Sequence, residues 1–325
     1  MSTCSVVIPV HNRAALTARC LDRLLATPDE AIAEVVVVDD GSTDATAAVL
    51  AERDDVRVVR HDHNAGFAAS CNDGVAAAGS EWVVLLNNDT LPQGDWLSSL
   101  VRYASARERL GAVGSKLLFP DGTIQHAGVV FSHELTPQHI YLGFPGDHPA
   151  VAKSREFQAV TGACLLIRRE LFQENGGFDA AFVNGYEDID LCLRLRKRGY
   201  EIHYCHESVL YHLESATRGF DSNTRNHALF LDRWGDFARQ DDVDYFVEDG
   251  LIDVTYPGQF PTIIRVSPRL AVLHPERQSA AERLLAERSR QVYETLKENV
   301  RLSVELIEAQ GQAAIEDARS PDVSR

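Results

Sequence analysis

The sequence contains no apolar run near the ~20 residues that a bilayer span requires; its longest are stretches such as Val35-Val36-Val37-Val38. Its start, Met1-Ser2-Thr3-Cys4, puts no basic segment ahead of an apolar one, so no secretory leader is expected. Basic residues are scarce: 32 Lys+Arg stand against 48 Asp+Glu, a formal net charge of −16. Such a chain lacks the basic face that neutralises phosphates, which excludes nucleic acid as an expected partner. There is no Cys-x-x-Cys pair. The six cysteines, Cys4, Cys20, Cys71, Cys164, Cys192 and Cys205, are scattered as reduced, buried thiols of a cytoplasmic protein would be. The densest Cys/His stretch, Cys192, His203, Cys205, His206 and His212, fits no zinc spacing, and alternation along a strand accounts for most of it. Two nucleotide signatures are missing as well: no Gly-x-x-x-x-Gly-Lys loop occurs, and no Gly-x-Gly-x-x-Gly follows the first strand.

What is present is a globular composition, 45% apolar over 325 residues. That length suits one large α/β domain with an appendage, or two domains. The first ninety residues alternate apolar runs with helical segments. Strands are expected at 5–10, 34–40, 56–59 and 82–86, and helices through Leu16–Leu25, after Ser42 or Thr43 as N-cap, and over 66–78. Strands that are apolar throughout imply a parallel sheet covered on both faces. Polar residues crowd the carboxyl ends of these strands, the edge where ligands bind in open α/β sheets. Further on, the spacing predicts a helix at 96–105, a strand at 112–119, a turn at Pro120-Asp121-Gly122 and a strand at 159–168. Residues 132–156 read as a long loop, and 241–275 as short β-like pieces broken by prolines. From Pro275 to Asp317 apolar positions keep helical spacing, which predicts a C-terminal helix of roughly 40 residues.

Two pairs of polar residues close strands: Asp39-Asp40 and Asn88-Asp89. Either pair alone is an ordinary cap. Together, in one half of a sheet, they can bind a ribose or base and a hard divalent cation such as Mg²⁺ or Mn²⁺. A second cluster runs Gly176-Gly177-Phe178-Asp179 and Tyr186-Glu187-Asp188-Ile189-Asp190. On a helix over 188–198, steps of three and four from Asp188 meet Leu191, Cys192 and Leu195, so Asp188 heads the inward face. The same steps from Glu187 meet Asp190, Arg194 and Lys197, an expected outer face on which Asp190 and Arg194 form a surface pair. An inward carboxylate is an N-cap or a general base.

The order Val38-Asp39-Asp40-Gly41-Ser42, Asn64-Ala65-Gly66-Phe67, Asn87-Asn88-Asp89, Gly176-Gly177-Phe178-Asp179 and Glu187-Asp188 resembles the family 2 glycosyltransferases of GT-A fold, including bacterial rhamnosyltransferase-like members of polysaccharide biosynthesis. The likeness covers roughly 3–219. It implies an α/β, Rossmann-like mixed sheet flanked by helices, with the C-terminal helix as an extension. It also implies metal-dependent transfer, with inversion, from a UDP- or dTDP-linked sugar to a hydroxyl of a saccharide or lipid-linked acceptor. By position, Asp188 resembles the catalytic base, and Gly162 and Glu187 fall on the acceptor side. Pro9, Asn12, Asp40, Asn64, Gly66, Asn88 and Arg218 fall on the nucleotide and donor side. Asp89 and His212 resemble the ligands of a divalent cation, Mn²⁺ or Mg²⁺. Asn87 and Asn88 stand where acids are frequent, which throws metal binding onto Asp89. Gly162-Ala163-Cys164 resembles the small-residue floor under donor and acceptor, with ordinary strand packing as the other reading. The implied domains are 1–240 for the transferase (nucleotide half 1–90, acceptor half 91–240), a β-like extension at 241–274, and a helix and tail at 275–325. The extension is expected to be either a solvated arm or a homo-oligomer contact. The protein is expected to be cytoplasmic, free or peripheral at the inner membrane face. A sugar nucleotidyltransferase would need a Gly-rich loop where His11-Asn12-Arg13 stands, and a non-catalytic sugar-nucleotide-binding scaffold would have no use for Asp40, Asp89 and Asp188 together.

Overall fold

A computed structural model of the chain describes residues 3–26, 29–213, 220–255 and 263–266, with nine further residues between 291 and 305. It divides into two compact units, Met1–Asp242 and Val243–Arg325. The first unit opens with three βα steps and a fourth strand: β1 (Cys4–Val10), α1 (Ala14–Ala26), β2 (Ile32–Asp40), α2 (Thr46–Ala51), β3 (Arg57–His61), α3 (Phe67–Ala77) and β4 (Trp82–Leu86). β1 pairs in parallel with both β2 and β4, and β2 with β3. Burial on both faces selects the β-branched runs: alternate residues of one strand enter opposite cores. Val7, Val36 and Leu85 join one cluster, and Val6, Ile8, Val35, Val37 and Val84 the other. Pro9 lacks an N–H, yet sits in β1 because pairing with β4 stops at Val7 and leaves only β2 beside it.

The second half turns the sheet mixed. β5 (Thr90–Gln93), α4 (Trp96–Ser105), β6 (Leu110–Leu118), β7 (Ile124–His126), β8 (Val129–Phe131), β9 (Pro137–His139), β10 (Arg155–Phe157), β11 (Cys164–Arg168), α5 (Arg169–Glu174), α6 (Glu187–Lys197), β12 (Glu201–His212) and α7 (Phe220–Trp234) follow. The strand order is β10-β12-β6-β11-β4-β1-β2-β3, with β5 on β12 and β7 on β6. β11 runs antiparallel to β4 and β6, whereas β12 is parallel to β6. The turn at 120–122 joins β6 to β7 as expected. Three sequence expectations are corrected. The stretch 132–156 is not a bare loop: it holds β9, a 3₁₀ turn at Pro149–Val151 and the start of β10. Nor do Ser42 or Thr43 cap α2; Asp44 Oδ1 takes the Thr46 N–H at 2.9 Å, while Ser42 Oγ accepts from Asn12 N. Lastly, 241–275 includes a helix, α8 (Asp242–Glu248), before the hairpin β13 (Ile252–Thr255) and β14 (Ile263–Val266). Of the expected C-terminal helix, the described residues between Gln291 and Glu305 are helical, and the rest lies outside the described residues. No helix among the described residues is long and apolar enough to cross a membrane.

α3 packs closely because its buried face is small: Ala68, Ser70, Cys71, Gly74 and Val75. A Cβ at Gly74 would lie 2.3 Å from Val7 Cγ1 and 2.9 Å from Val38 Cγ2. Helix propensity favours alanine by about 1 kcal/mol, but overpacking costs about 1–3 kcal/mol. Gly74→Ala should therefore lower stability, read as a reduced urea midpoint at unchanged slope.

Candidate active site at the carboxyl edge of the sheet

The loops after β1, β2 and β3 converge. Asn12 and Arg13 hold φ of 58° and 62°, left-handed values that aim the Asn12 side chain across to the next loop. There Asn12 Oδ1 accepts from the N–H groups of Thr43 at 2.8 Å and Asp44 at 3.2 Å. Asp40, at the end of β2, is buried and organises the following turn. Its Oδ1 accepts from Ala65 N at 2.7 Å and pairs with His61 Nδ1 at 2.8 Å; its Oδ2 accepts from Gly66 N at 2.9 Å. Burial pushes this carboxyl up, but the Ala65, His61 and Gly66 contacts outweigh it and hold it below the ordinary value. The lowered pKa belongs to the folded state. The stability it adds is therefore full above the unfolded carboxyl value of about 3.9 and is lost as pH falls through the lower folded value. Asp40→Asn should flatten that acid limb in melts taken between neutral pH and the folded pKa. Asn64 is exposed on the same turn.

β4 delivers the second polar end. Asn87 N donates to Ala163 O at 2.9 Å, and Asn88 Nδ2 donates to Thr17 Oγ1 on α1 at 2.9 Å. The antiparallel pairing of β5 with β12 sets His212 opposite Thr90, while Leu213 N donates to Asp89 O at 2.9 Å. Two residues more than a hundred positions apart are thus brought together: His212 Nε2 lies 2.9 Å from Asp89 Oδ1. Asp89 Oδ1 is buried and receives no aligned hydrogen bond, and Asn87 Oδ1 is likewise buried and unpaired. His212 Nδ1 is engaged by Gln125 Oε1, and Asn87 Nδ2 lies 3.5 Å from His212 Nε2. An amide oxygen only accepts, so Nδ1 carries a proton and Nε2 is the ring nitrogen turned toward the carboxylate oxygen. Two electron-rich atoms at that spacing fit neighbouring ligands of one cation, whose bonds of ~2.0–2.2 Å set such separations. Among the described residues no group of three or more His, Cys, Asp or Glu could hold a metal. Mg²⁺-type sites normally rest on one or two protein ligands plus phosphate oxygens and water, so two suffice.

The third element is the N-terminus of α6. Asn184, Gly185 and Tyr186 have φ of 53°, 147° and 75°, a left-handed turn that starts the helix abruptly. Tyr186 is anchored by stacking on Phe182 at 6.3 Å and by His227 Nδ1, 3.2 Å from its hydroxyl. Helix N-termini favour carboxylates, and Glu187, Asp188 and Asp190 all stand in the first turn. Glu187 is buried, its Oε2 accepting from Gly185 N at 2.6 Å. Asp188 Oδ2 accepts from Gly162 N at 2.7 Å, and Oδ1 from Ile189 N at 2.9 Å. A Cβ at Gly162 would sit 3.3 Å from Asp188 Cβ, so the small residue permits this approach. Because Gly162 holds Asp188 and its neighbour Ala163 holds Asn87, one dipeptide joins the α6 carboxylate to the Asp89 loop.

Asp188 is half-buried rather than sealed in the fold, and opens on a cavity lined also by Thr136, Gln138, His139, Thr161 and Tyr186. The expectation for Asp190 is overturned. It is fully buried, and binds Trp234 Nε1 at 2.9 Å as well as Arg194 Nε at 2.8 Å. Helix α7 covers what looked like the outer face of α6. Arg218 lies outside the described residues. The residues missed from sequence are Gln125, His126 and His139, carried by short strands after the 120–122 turn. The signal was two adjacent polar residues, Gln125-His126, following so closely on a strand of core residues. His126 is buried, 3.0 Å from His139 Nδ1, and burial followed by His139 and His212 pushes its pKa well down, so it is neutral.

A model of "Glycosyl transferase family 2" matches residues 5–176, just over half of the chain. The O-antigen biosynthesis protein RfbC of Myxococcus xanthus is 36% identical over 228 residues, 67% of this chain but 18% of its own length. The N-acetylglucosaminyl-diphospho-decaprenol L-rhamnosyltransferase of Mycobacterium tuberculosis (strain ATCC 25618 / H37Rv) is 28% identical over 62% of this chain and 74% of its own. The chain thus spans less than a fifth of one relative and about three-quarters of the other. Among solved structures, GalNAc-T7 with UDP, GalNAc and Mn²⁺ superposes with a TM-score of 0.62 at 18% identity, covering 73% of this chain and 49% of that one. With this family match laid over a mixed sheet whose carboxyl edge gathers Asp40, Asp89 and Asp188, the chain belongs to glycosyltransferase family 2 and has the GT-A fold.

Proposed function

We propose that the protein is an inverting, metal-dependent transferase that moves a hexose-type sugar from a UDP- or dTDP-linked donor to an acceptor hydroxyl in polysaccharide or glycoconjugate biosynthesis. One observation carries the reading: the Gly162-Ala163 dipeptide ties Asp188 to the loop bearing Asp89, which His212 at the end of β12 meets. A base and a diphosphate site in one neighbourhood are what a single in-line displacement needs. Asp188 would take the proton of the acceptor hydroxyl as its oxygen attacks the anomeric carbon, and the nucleoside diphosphate would leave from the opposite side. Asp89 and His212 would hold the divalent cation, which supplies charge stabilisation for the departing diphosphate. Asp40, with the turn at Ala65-Gly66, would define the nucleoside end, joined by Pro9, Asn12, Asn64, Asn88 and Arg218. The cavity beside Asp188 would take the acceptor, a saccharide or a lipid-linked one; among the described residues its lining has no Lys or Arg, which suits an uncharged hydroxyl-bearing ring. Its wall includes Gly162's neighbour Thr161, and Glu187 braces the turn that starts α6. Six free, buried cysteines suit the reducing cytoplasm.

The relatives' names, an O-antigen biosynthesis protein and a rhamnosyltransferase, support the pathway class, and the Mn²⁺ and UDP of the GalNAc-T7 structure support the donor class. A thermal-shift panel of UDP-, dTDP- and GDP-sugars, each with and without Mn²⁺, tests the reading. Ligand at 100 times its dissociation constant adds about 2.7 kcal/mol, so a true donor should raise Tm by several degrees, and only with Mn²⁺. No shift with any donor would sink it.

A further inference from the structure

The proposed chemistry gives Gln125 no part, yet this side chain grips His212 at two points. It is buried, on the three-residue strand β7 that pairs with β6 at Leu117 and Leu118. Its Oε1 faces His212 Nδ1, and its Nε2 donates to the His212 carbonyl oxygen at 3.5 Å. The second contact fixes the amide, since turning it over would set oxygen against oxygen. With the amide fixed, only an Nδ1–H can satisfy Oε1, and Nε2 is the ring nitrogen turned to Asp89. The contact at 3.5 Å from Asn87 Nδ2, a donor, agrees with that form of the ring. Nε2 lies 2.9 Å from Asp89 Oδ1, an oxygen that receives no aligned hydrogen bond.

We infer that Gln125 is a positioning residue for the cation site: it holds His212 as the Nδ1–H tautomer with the Nε2 lone pair turned to Asp89, and so sets the affinity for the divalent cation. The inference rests on the metal-dependent reading above. Without Gln125, the ring gains by moving its proton to Nε2 and donating to Asp89 Oδ1. That internal hydrogen bond occupies both metal-facing atoms at once and competes with the cation.

The test titrates Mn²⁺ into the full chain with UDP, dTDP or GDP present, following free Mn²⁺ by electron paramagnetic resonance. Partners that orient a metal-bound histidine are typically worth about 10–100-fold in metal affinity, and Gln125→Leu should weaken Mn²⁺ binding by that much. Wild type that binds no Mn²⁺ with any of the three nucleotides overturns the metal reading and this inference with it. Wild type that binds, with a Gln125→Leu variant that binds equally, overturns the inference alone. If the leucine variant does not melt cooperatively, ¹⁵N-histidine spectra of wild type decide. The His212 signals, identified by their loss in His212→Gln, must show a protonated Nδ1 and a bare Nε2; the reverse assignment overturns the role of Gln125.

Discussion

Asp188→Asn should lower kcat by about 10²–10⁴-fold, the usual contribution of a positioned general base, while the Mn²⁺-dependent thermal shift by the donor persists. The substitution is nearly isosteric. The asparagine oxygen can still accept from Gly162 N, as Asp188 Oδ2 does at 2.7 Å, so the tie between α6 and the 161–163 loop survives. What is lost is the second oxygen as a proton acceptor, on a side chain that opens on a cavity rather than on solvent at large. The donor site proposed above uses a different set, Asp40 with its turn and the Asp89–His212 pair, which makes no contact through Asp188 Oδ1. The two readouts therefore separate. A fall in kcat with an intact donor shift assigns the base. Activity within about tenfold of wild type would remove Asp188 from that role, because a base contributes more than this. Loss of the donor shift together with activity would instead mark Asp188 as a brace of the whole site.

Much of the scaffold was legible because its physics is local. A strand buried on both faces must be apolar throughout, so β1, β2 and β4 announce themselves, and Trp82–Leu86 and Trp96–Ser105 fall where the spacing sets them. The polar ends at Asp40 and Asn88-Asp89 were legible for the same reason: a carboxylate that ends such a strand has nowhere to go but the sheet edge. The parts that stayed hidden depend on partners distant in sequence. Residues 132–156 have no periodicity of their own, and β9 and β10 take their shape from pairing with β8 and β12. The grip of Gln125 on His212 needs β7 and β12 on the two opposite edges of β6, a matter of sheet order. Asp190 was misplaced because helical spacing finds a charged face without telling whether another helix covers it.

That cover makes Asp190 the largest stability prediction. On a solvated face, removing one partner of an i,i+4 pair costs only a few tenths of a kcal/mol. In the fold, Asp190 has no solvent exposure, and its oxygens serve three donors: Arg194 Nε at 2.8 Å, Trp234 Nε1 at 2.9 Å and Arg233 Nη1 at 3.4 Å. Asp190→Ala strips all three. The two guanidinium groups keep other partners, Arg194 on the Gly177 carbonyl and Arg233 on Asp179 at 2.6 Å, so neither becomes an isolated buried charge. The Trp234 N–H has no such reserve beside its buried ring, and an orphaned buried donor costs about 1–3 kcal/mol. Adding the lost charge-assisted bonds brings the total to about 3 kcal/mol, at the lower end for breaking a buried ion pair. For a domain of this size that is a fall in Tm of roughly 6–12 °C. Asp190→Asn, which keeps an acceptor for Trp234 Nε1 but gives up the charge and the oxygen that accepts from Arg194 Nε, should lose less than Asp190→Ala. A loss in Asp190→Ala of no more than a few tenths of a kcal/mol would mean that α7 does not cover this face, and would return Asp190 and Arg194 to being a surface pair.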